Sequence, residues 1–252
     1  MAFFYPQTAA GLNYITYPAG PTVAGTTVTA NAAADTKGNY AQIVASSAFT
    51  CNSVIIDVQF TAAAVGRQYR LDIATGAALS ETVVVADLLA EGTNAATSVI
   101  GGTYTLPLAI PSGTRISARC QCSTGAATLS VTITLIAAGG ALGIPAFVNY
   151  GAGVTHASGG AQVDPGGTAN TKGAYTQLTA STSSVIQALC VMITVGGATF
   201  NTVSTDWCLD IATGGSGAEV VLIPDLRFSV ACGANPHPVI QPRSQSLLTY
   251  IA

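Results

Sequence analysis

Charge is what this chain has least of. Of its 252 residues only 8 are Lys or Arg and 11 are Asp or Glu, 8% in all, against roughly 25% in an average soluble domain. Two lysines and six arginines cannot build a patch that tracks a phosphate backbone, which excludes nucleic acid as a partner. Coiled coils need charged flanking positions that are missing here. Disorder is excluded from the other side, because 49% of the residues are hydrophobic and the net charge is only −3.

Other residue types are nearly absent. The two histidines, His156 and His237, lie in a Gly/Ser/Ala loop and between two prolines, and neither has an acid close in sequence. The bland reading of both is loop or turn packing. A Ser-His-Asp site needs its members to meet only in space, but no G-x-S-x-G turn accompanies them. The six cysteines, Cys51, Cys120, Cys122, Cys190, Cys208 and Cys232, form no C-x-x-C pair. With two histidines they give zinc little support. They read as small buried apolar groups, with a disulfide left open. Trp207 is the single Trp, and core burial is the simpler reading of it than sugar stacking. No metal or cofactor is expected.

Long apolar runs are missing too. Met1 to Pro6 has no basic start and no continuous apolar core. Val131 to Val148 is interrupted by Gly139, Gly140, Gly143 and Pro145, short of the roughly 20 residues a membrane helix needs. The expectation is a protein made in a cytoplasm and without a membrane partner.

Repetition is what the sequence does contain. Asp35-Thr36-Lys37-Gly38-Asn39-Tyr40-Ala41-Gln42 returns as Asn170-Thr171-Lys172-Gly173-Ala174-Tyr175-Thr176-Gln177, a shift of 170 − 35 = 135. Leu71-Asp72-Ile73-Ala74-Thr75-Gly76 returns identically from Leu209 to Gly214, a shift of 209 − 71 = 138. Glu81 and Asp87 recur at that shift as Glu219 and Asp225, and Asn13-Tyr14 is echoed by Asn149-Tyr150. Such blocks in register mark an internal duplication.

Periodicity is β throughout. Thr128 to Ile136 alternates polar and apolar, and Ser53 to Phe60 is β-branched and aromatic. Tyr69 to Ile73, Glu81 to Val85 and Arg115 to Gln121 are similar. Gly and Pro turns separate them, and Ala86 to Glu91 is the one short helix candidate. The expected fold is all-β, with two tandem β-sandwich, jelly-roll-like domains. Residues 1–12 form an N-terminal arm, 13–138 the first repeat, 139–148 a Gly/Pro linker and 149–252 a shortened second repeat. Pro107 to Pro111 matches Pro238 to Pro242 at a shift of 131, which sets Ala252 opposite Gln121. On that alignment the second repeat lacks the counterpart of Thr128 to Ile136. An exposed sandwich edge of that kind calls for a cover, by rearrangement of the second domain, from a neighbouring chain or from the arm Met1 to Pro6 with Phe3, Phe4 and Tyr5.

The acids present twice, Asp72/Asp210, Glu81/Glu219 and Asp87/Asp225, admit three readings. Paired carboxylates serve glycoside hydrolysis or calcium, but no calcium-loop pattern is present. Structural anchoring is the plainer account, with Asp72 and Asp210 holding the turn at Ala-Thr-Gly. Lys37 and Lys172 read as exposed turn lysines before a glycine of positive φ, or as one half of an inter-subunit ion pair with a retained acid. Arg115 and Arg119 fall on one face of a strand and suit an acidic neighbour.

Together the Leu-Asp-Ile-Ala-Thr-Gly blocks, Ser80-Glu81-Thr82-Val83-Val84, Ala218 to Leu226 and Leu106 to Arg119 resemble a family of β-rich virion structural proteins of tailed bacteriophages. The resemblance covers most of both repeats and departs after Pro242. It implies a non-enzymatic virion protein, assembled in the host cytoplasm, whose role is capsid decoration or cement. Its partners would be the major capsid protein or other virion subunits, with a homo-oligomer, dimer or trimer, as the free form. Candidate interface residues are Phe3, Phe4, Tyr5, Lys37, Lys172, Arg115, Arg119, Leu247 and Leu248. The alternative is a tail or fibre module that binds a host-surface glycan; a hydrolase with an unrecognised site is a third.

Overall fold

The computed structural model describes residues 13–18, 25–60, 67–92, 102–137, 144–151, 161–183, 186, 188–189, 191, 205–230 and 249–250. It is all-β, built of several antiparallel sheets, with no helix among the described residues.

One sheet of the first repeat is centred on β9 (Thr128–Ala137). β4 (Ser53–Phe60) lies along one side of it and β7 (Gly102–Leu106) lies beyond β4. The other side of β9 is shared by β1 (Asn13–Tyr17) and β2 (Thr26–Thr29). The second sheet has the order β3 (Ala41–Val44), β8 (Ile116–Cys122), β5 (Arg67–Thr75), β6 (Thr82–Gly92).

The alternation in the sequence explains how they pack. Val54, Ile56 and Val58 of β4, and Leu129, Val131, Ile133 and Leu135 of β9, point into one buried cluster. From the other sheet Tyr69, Leu71 and Ile73 enter it, as do Ile116, Ala118, Cys120 and Cys122. Two faces interleaved in this way form a sandwich-like core. Each fully buried Leu, Ile or Val contributes roughly 1.5–3 kcal/mol, so this cluster outweighs any polar feature in holding the region together. Cys51, Cys120 and Cys122 are free and buried in it, whereas Cys208, expected to be buried, is free and exposed. Tyr104 turns its hydroxyl to the Leu89 carbonyl oxygen, which satisfies a buried polar group.

Ala86 to Glu91 is strand, not helix: it lies within β6. Its pairing with β5 slips between Leu71 and Ile73, and Asp87 has φ 53°. This β-bulge breaks the period-two pattern and makes a strand look helical in sequence.

Half of the segment 139–148 is described, and that half is docked. Ile144 bridges to Leu108 and Phe147 to Val85, both in parallel. Phe147 donates its N–H to the Val84 carbonyl at 2.7 Å and packs against the core.

Less of the second repeat is described. β11 (Thr205–Thr213) and β12 (Val220–Val230) pair as a hairpin, and β10 (Ala188–Leu189) pairs with β13 (Thr249–Tyr250). The hairpin repeats β5–β6 contact for contact at the 138 shift. Leu71↔Leu88, Ile73↔Val85 and Ala74↔Val83 reappear as Leu209↔Leu226, Ile211↔Ile223 and Ala212↔Val221, with the slip at the same place. At the 135 shift Ala188 and Leu189 correspond to Ser53 and Val54. Val54 lies between Leu135 of β9 and Leu106 of β7, and β13 fills one of these two flanking positions beside Leu189.

A candidate functional site: the repeated lysine–aspartate cluster

On the outer face of the second sheet, residues 70 and 72 of β5 and 117, 119 and 121 of β8 point away from the core. Asp72 stands opposite Arg119 in register. Its Oδ2 accepts from Arg119 Nε at 2.9 Å, and its Oδ1 accepts from Lys37 Nζ at 2.7 Å and from the Asp87 N–H at 3.0 Å. Lys37 Nζ also donates to Asp87 Oδ1 at 2.7 Å and to the Arg70 carbonyl at 3.2 Å. The Arg119 guanidinium lies 4.7 Å from the centre of the Tyr40 ring, and burial chiefly pushes the Tyr40 hydroxyl above its ordinary pKa. The Asp72 side chain is 4% exposed. Such a carboxylate is stable because three charged or backbone donors replace water.

This geometry changes three sequence readings. Asp72 holds the β-bulge inside β5–β6 through the Asp87 N–H, not the Ala-Thr-Gly turn. Lys37 is largely covered and bonded within its own chain. The left-handed residue of its turn is Asp35, φ 55°, whereas Gly38 is required for space: a Cβ there would run into the Thr29 carbonyl oxygen.

The second repeat copies the arrangement. Lys172 Nζ donates to Asp210 Oδ1 at 2.6 Å and lies 2.8 Å from Asp225 Oδ1. The Asp225 N–H donates to Asp210 Oδ1 at 2.8 Å. Asn170 has φ 59° and Asp225 φ 50°, matching Asp35 and Asp87. A Cβ on Gly173 would meet the Asp164 carbonyl oxygen as one on Gly38 meets that of Thr29. The hydrogen bonds that Lys172 donates to Asp210 and then Asp225 hold it above the ordinary lysine range, and Lys172 holds Asp210 below the ordinary aspartate range.

Glu81 lies apart from this cluster. Its Oε1 accepts from Arg115 Nη1 at 2.9 Å, and Arg115 also reaches Gln42 and the Gly76 carbonyl. Burial pushes the Glu81 carboxyl up, but Arg115 and backbone donors outweigh it and leave it below its ordinary pKa. Glu219 instead accepts from the Gly217 N–H at 3.0 Å. Arg115 and Arg119, expected to face a neighbour, thus both meet acids of their own chain.

The arrangement is suited to holding strands, not to proton transfer. Asp72 carries two cations and a backbone N–H, and a general base must be open to substrate. Among the described residues no group of three His, Cys, Asp or Glu could hold a metal ion. Burial pushes the Cys120 thiol up to about 12, and the Cys51 thiol is raised for the same reason; thiols of this kind are poor nucleophiles.

Other candidates lie outside the described residues: Phe3, Phe4, Tyr5, His156, His237, Cys190, Cys232, Leu247 and Leu248. Sequence reasoning missed Asn149 as a contact residue. Its Nδ2 donates to the Asp87 carbonyl at 2.7 Å, beside the ion cluster; the Asn-Tyr echo was the available signal. The chain matches no family model, no curated protein and no solved structure.

Proposed function

We propose that this chain is a non-enzymatic structural protein of a tailed-phage virion, acting as a capsid decoration or cement subunit made of two duplicated sandwich domains. The observation that carries this reading is where the charge goes. Four of the eight basic residues, Lys37, Arg115, Arg119 and Lys172, and five of the eleven acids, Asp72, Glu81, Asp87, Asp210 and Asp225, bind one another. With 8% of its residues charged, and these nine engaged with one another, the chain has few lone charges for its outside. A surface of Thr, Ser, Gly and small apolar groups suits a protein covered by neighbours in an assembly. The resemblance of the Leu-Asp-Ile-Ala-Thr-Gly and Ser-Gly-Thr-Arg-Ile segments to phage virion proteins supports the same reading.

The mechanism is mass action. Each docked copy bridges coat subunits, and its binding free energy adds to that of the assembled shell. The test is to count copies per particle and to heat particles with and without the protein. Hundreds of copies and earlier capsid rupture in their absence are expected. A few copies per particle, with lost host adsorption and unchanged heat resistance, would overturn decoration in favour of a tail module.

A further inference from the structure

The first repeat shows how its own sheet edge is covered. β6 is the last strand of its sheet; Ile144 bridges to Leu108, and Phe147–Asn149 then runs along β6 in parallel. Phe147 donates to the Val84 carbonyl and Asn149 Nδ2 to the Asp87 carbonyl, both at 2.7 Å. Val84 falls at the slipped position of the β5–β6 ladder, so its carbonyl is free of β5 and points outward. The strap ends in Val148-Asn149-Tyr150.

The second repeat has the same edge without that cover among the described residues. Leu222 and Asp225 are the counterparts of Val84 and Asp87, 222 − 84 = 225 − 87 = 138, and Leu222 is skipped in the β11–β12 ladder as Val84 is in β5–β6. Val221 and Leu222 are 42% and 43% exposed. The Asp225 side chain is 62% exposed where that of Asp87 is 35%. Bare edge carbonyls flanked by apolar groups are a template for one more strand.

The chain carries a second segment of the strap's type. Leu12-Asn13-Tyr14 matches Val148-Asn149-Tyr150 at a shift of 149 − 13 = 136. Asn13 is exposed at the start of β1. By the sequence echo, it precedes the first repeat as Asn149 precedes the second. We infer that this protein self-associates head to tail: the segment ending at Asn13 of one copy docks along β12 of another, with the Asn13 side chain on the Asp225 carbonyl. The occupant of the β12 edge is thus a second copy of this chain. Phe147 has Gly11 as its counterpart, so main-chain bonds and the Asn amide carry the contact. An interface of two different surfaces propagates into rings or filaments. It rests on the intra-chain strap and not on the virion reading, so purified protein free of any particle tests it alone.

The experiment is sedimentation of the full chain and two variants. The head variant carries Leu12→Lys and Asn13→Ala; the edge variant carries Leu222→Lys. Wild type should self-associate with rising concentration, and each variant should associate at least about tenfold more weakly, as loss of a hydrogen bond with exposure of its partner does. Mixed in equal amounts, the variants should form a heterodimer that grows no further, since one supplies an intact edge and the other an intact head. A wild type monomeric at all concentrations, a variant that associates as wild type does, or a mixture that stays monomeric would each overturn the inference. Should either variant lose its fold by circular dichroism, a peptide of residues 144–150 replaces the pair. It should dissociate the wild-type assembly, and an assembly indifferent to it overturns the inference equally.

Discussion

The two lysine–aspartate clusters share their residues, bulges and left-handed positions, yet they stand in different surroundings. In the first, Lys37 is 19% exposed and Asp72 gains Arg119 and, through it, the Tyr40 ring. In the second, Lys172 is 48% exposed, and no arginine joins Asp210 among the described residues. The Lys–Asp–Asp triangle forms in both places, because the bulge delivers both carboxylates to one ammonium. Depth comes from β8, which brings Arg119 across the ladder and covers Asp72. The same motif is more covered in one place and more exposed at its lysine and second aspartate in the other, where Asp210 itself stays 12% exposed, and the worth of an ion pair depends on that difference.

The comparison can be broken most sharply at its acids. Asp72→Ala leaves Lys37 and Arg119 without their shared carboxylate and the Asp87 N–H without an acceptor. A loss of about 3 kcal/mol is expected, the lower end for breaking a buried pair, read from denaturant unfolding. Asp210→Ala should shift the melting temperature far less. Equal losses from the two would show that burial by β8 is not what separates the clusters.

Acid sharpens it next. Glu81 and Asp210 both sit below their ordinary values of 4.5 and 3.8. A carboxyl lowered by folding contributes stability that is present above its unfolded pKa and is lost as pH falls through its folded one. Glu81→Gln and Asp210→Asn should each flatten the decline in stability below about pH 4.5. Unchanged slopes in an acid titration followed by fluorescence would count against both pairings. Lys172 works in the opposite sense: its stabilisation is complete below its ordinary 10.5 and fades only in stronger alkali.

The smallest effect tests the aromatic partner that the first cluster uses. Tyr40→Leu removes the ring under Arg119 while keeping an apolar group, with an expected cost of about 0.5–1 kcal/mol for a partly exposed cation–π contact. Tyr175→Leu, in the same place in the other repeat, should be near neutral by thermal melting. A cost at Tyr175 equal to that at Tyr40 would mean that Tyr175 has a cationic partner too.

Much of this architecture was legible in the chain. Alternation in Thr128 to Ile136 placed a strand and its buried face, and the recurrence of Leu-Asp-Ile-Ala-Thr-Gly marked the two segments that turn out to pair alike. Ala86 to Glu91 misled because a bulge adds a residue and disrupts period two. The Ala-Thr-Gly turn drew attention away from the real task of Asp72, since its partners are 35, 15 and 47 residues away, at Lys37, Asp87 and Arg119. No local pattern reports contacts of that span. Ile144–Val148 of the strap read as a linker because Gly and Pro surround it, and its docking depends on an edge built elsewhere.

By itself, then, the sequence determined the β class, the repeated blocks and the identity of the few charges that matter, because strand period and block recurrence are local properties. Only the tertiary structure decided which charges meet, that they meet within the chain, and which sheet edge is covered. Those outcomes depend on register between strands far apart in sequence, where a slip of one residue turns every side chain to the other face.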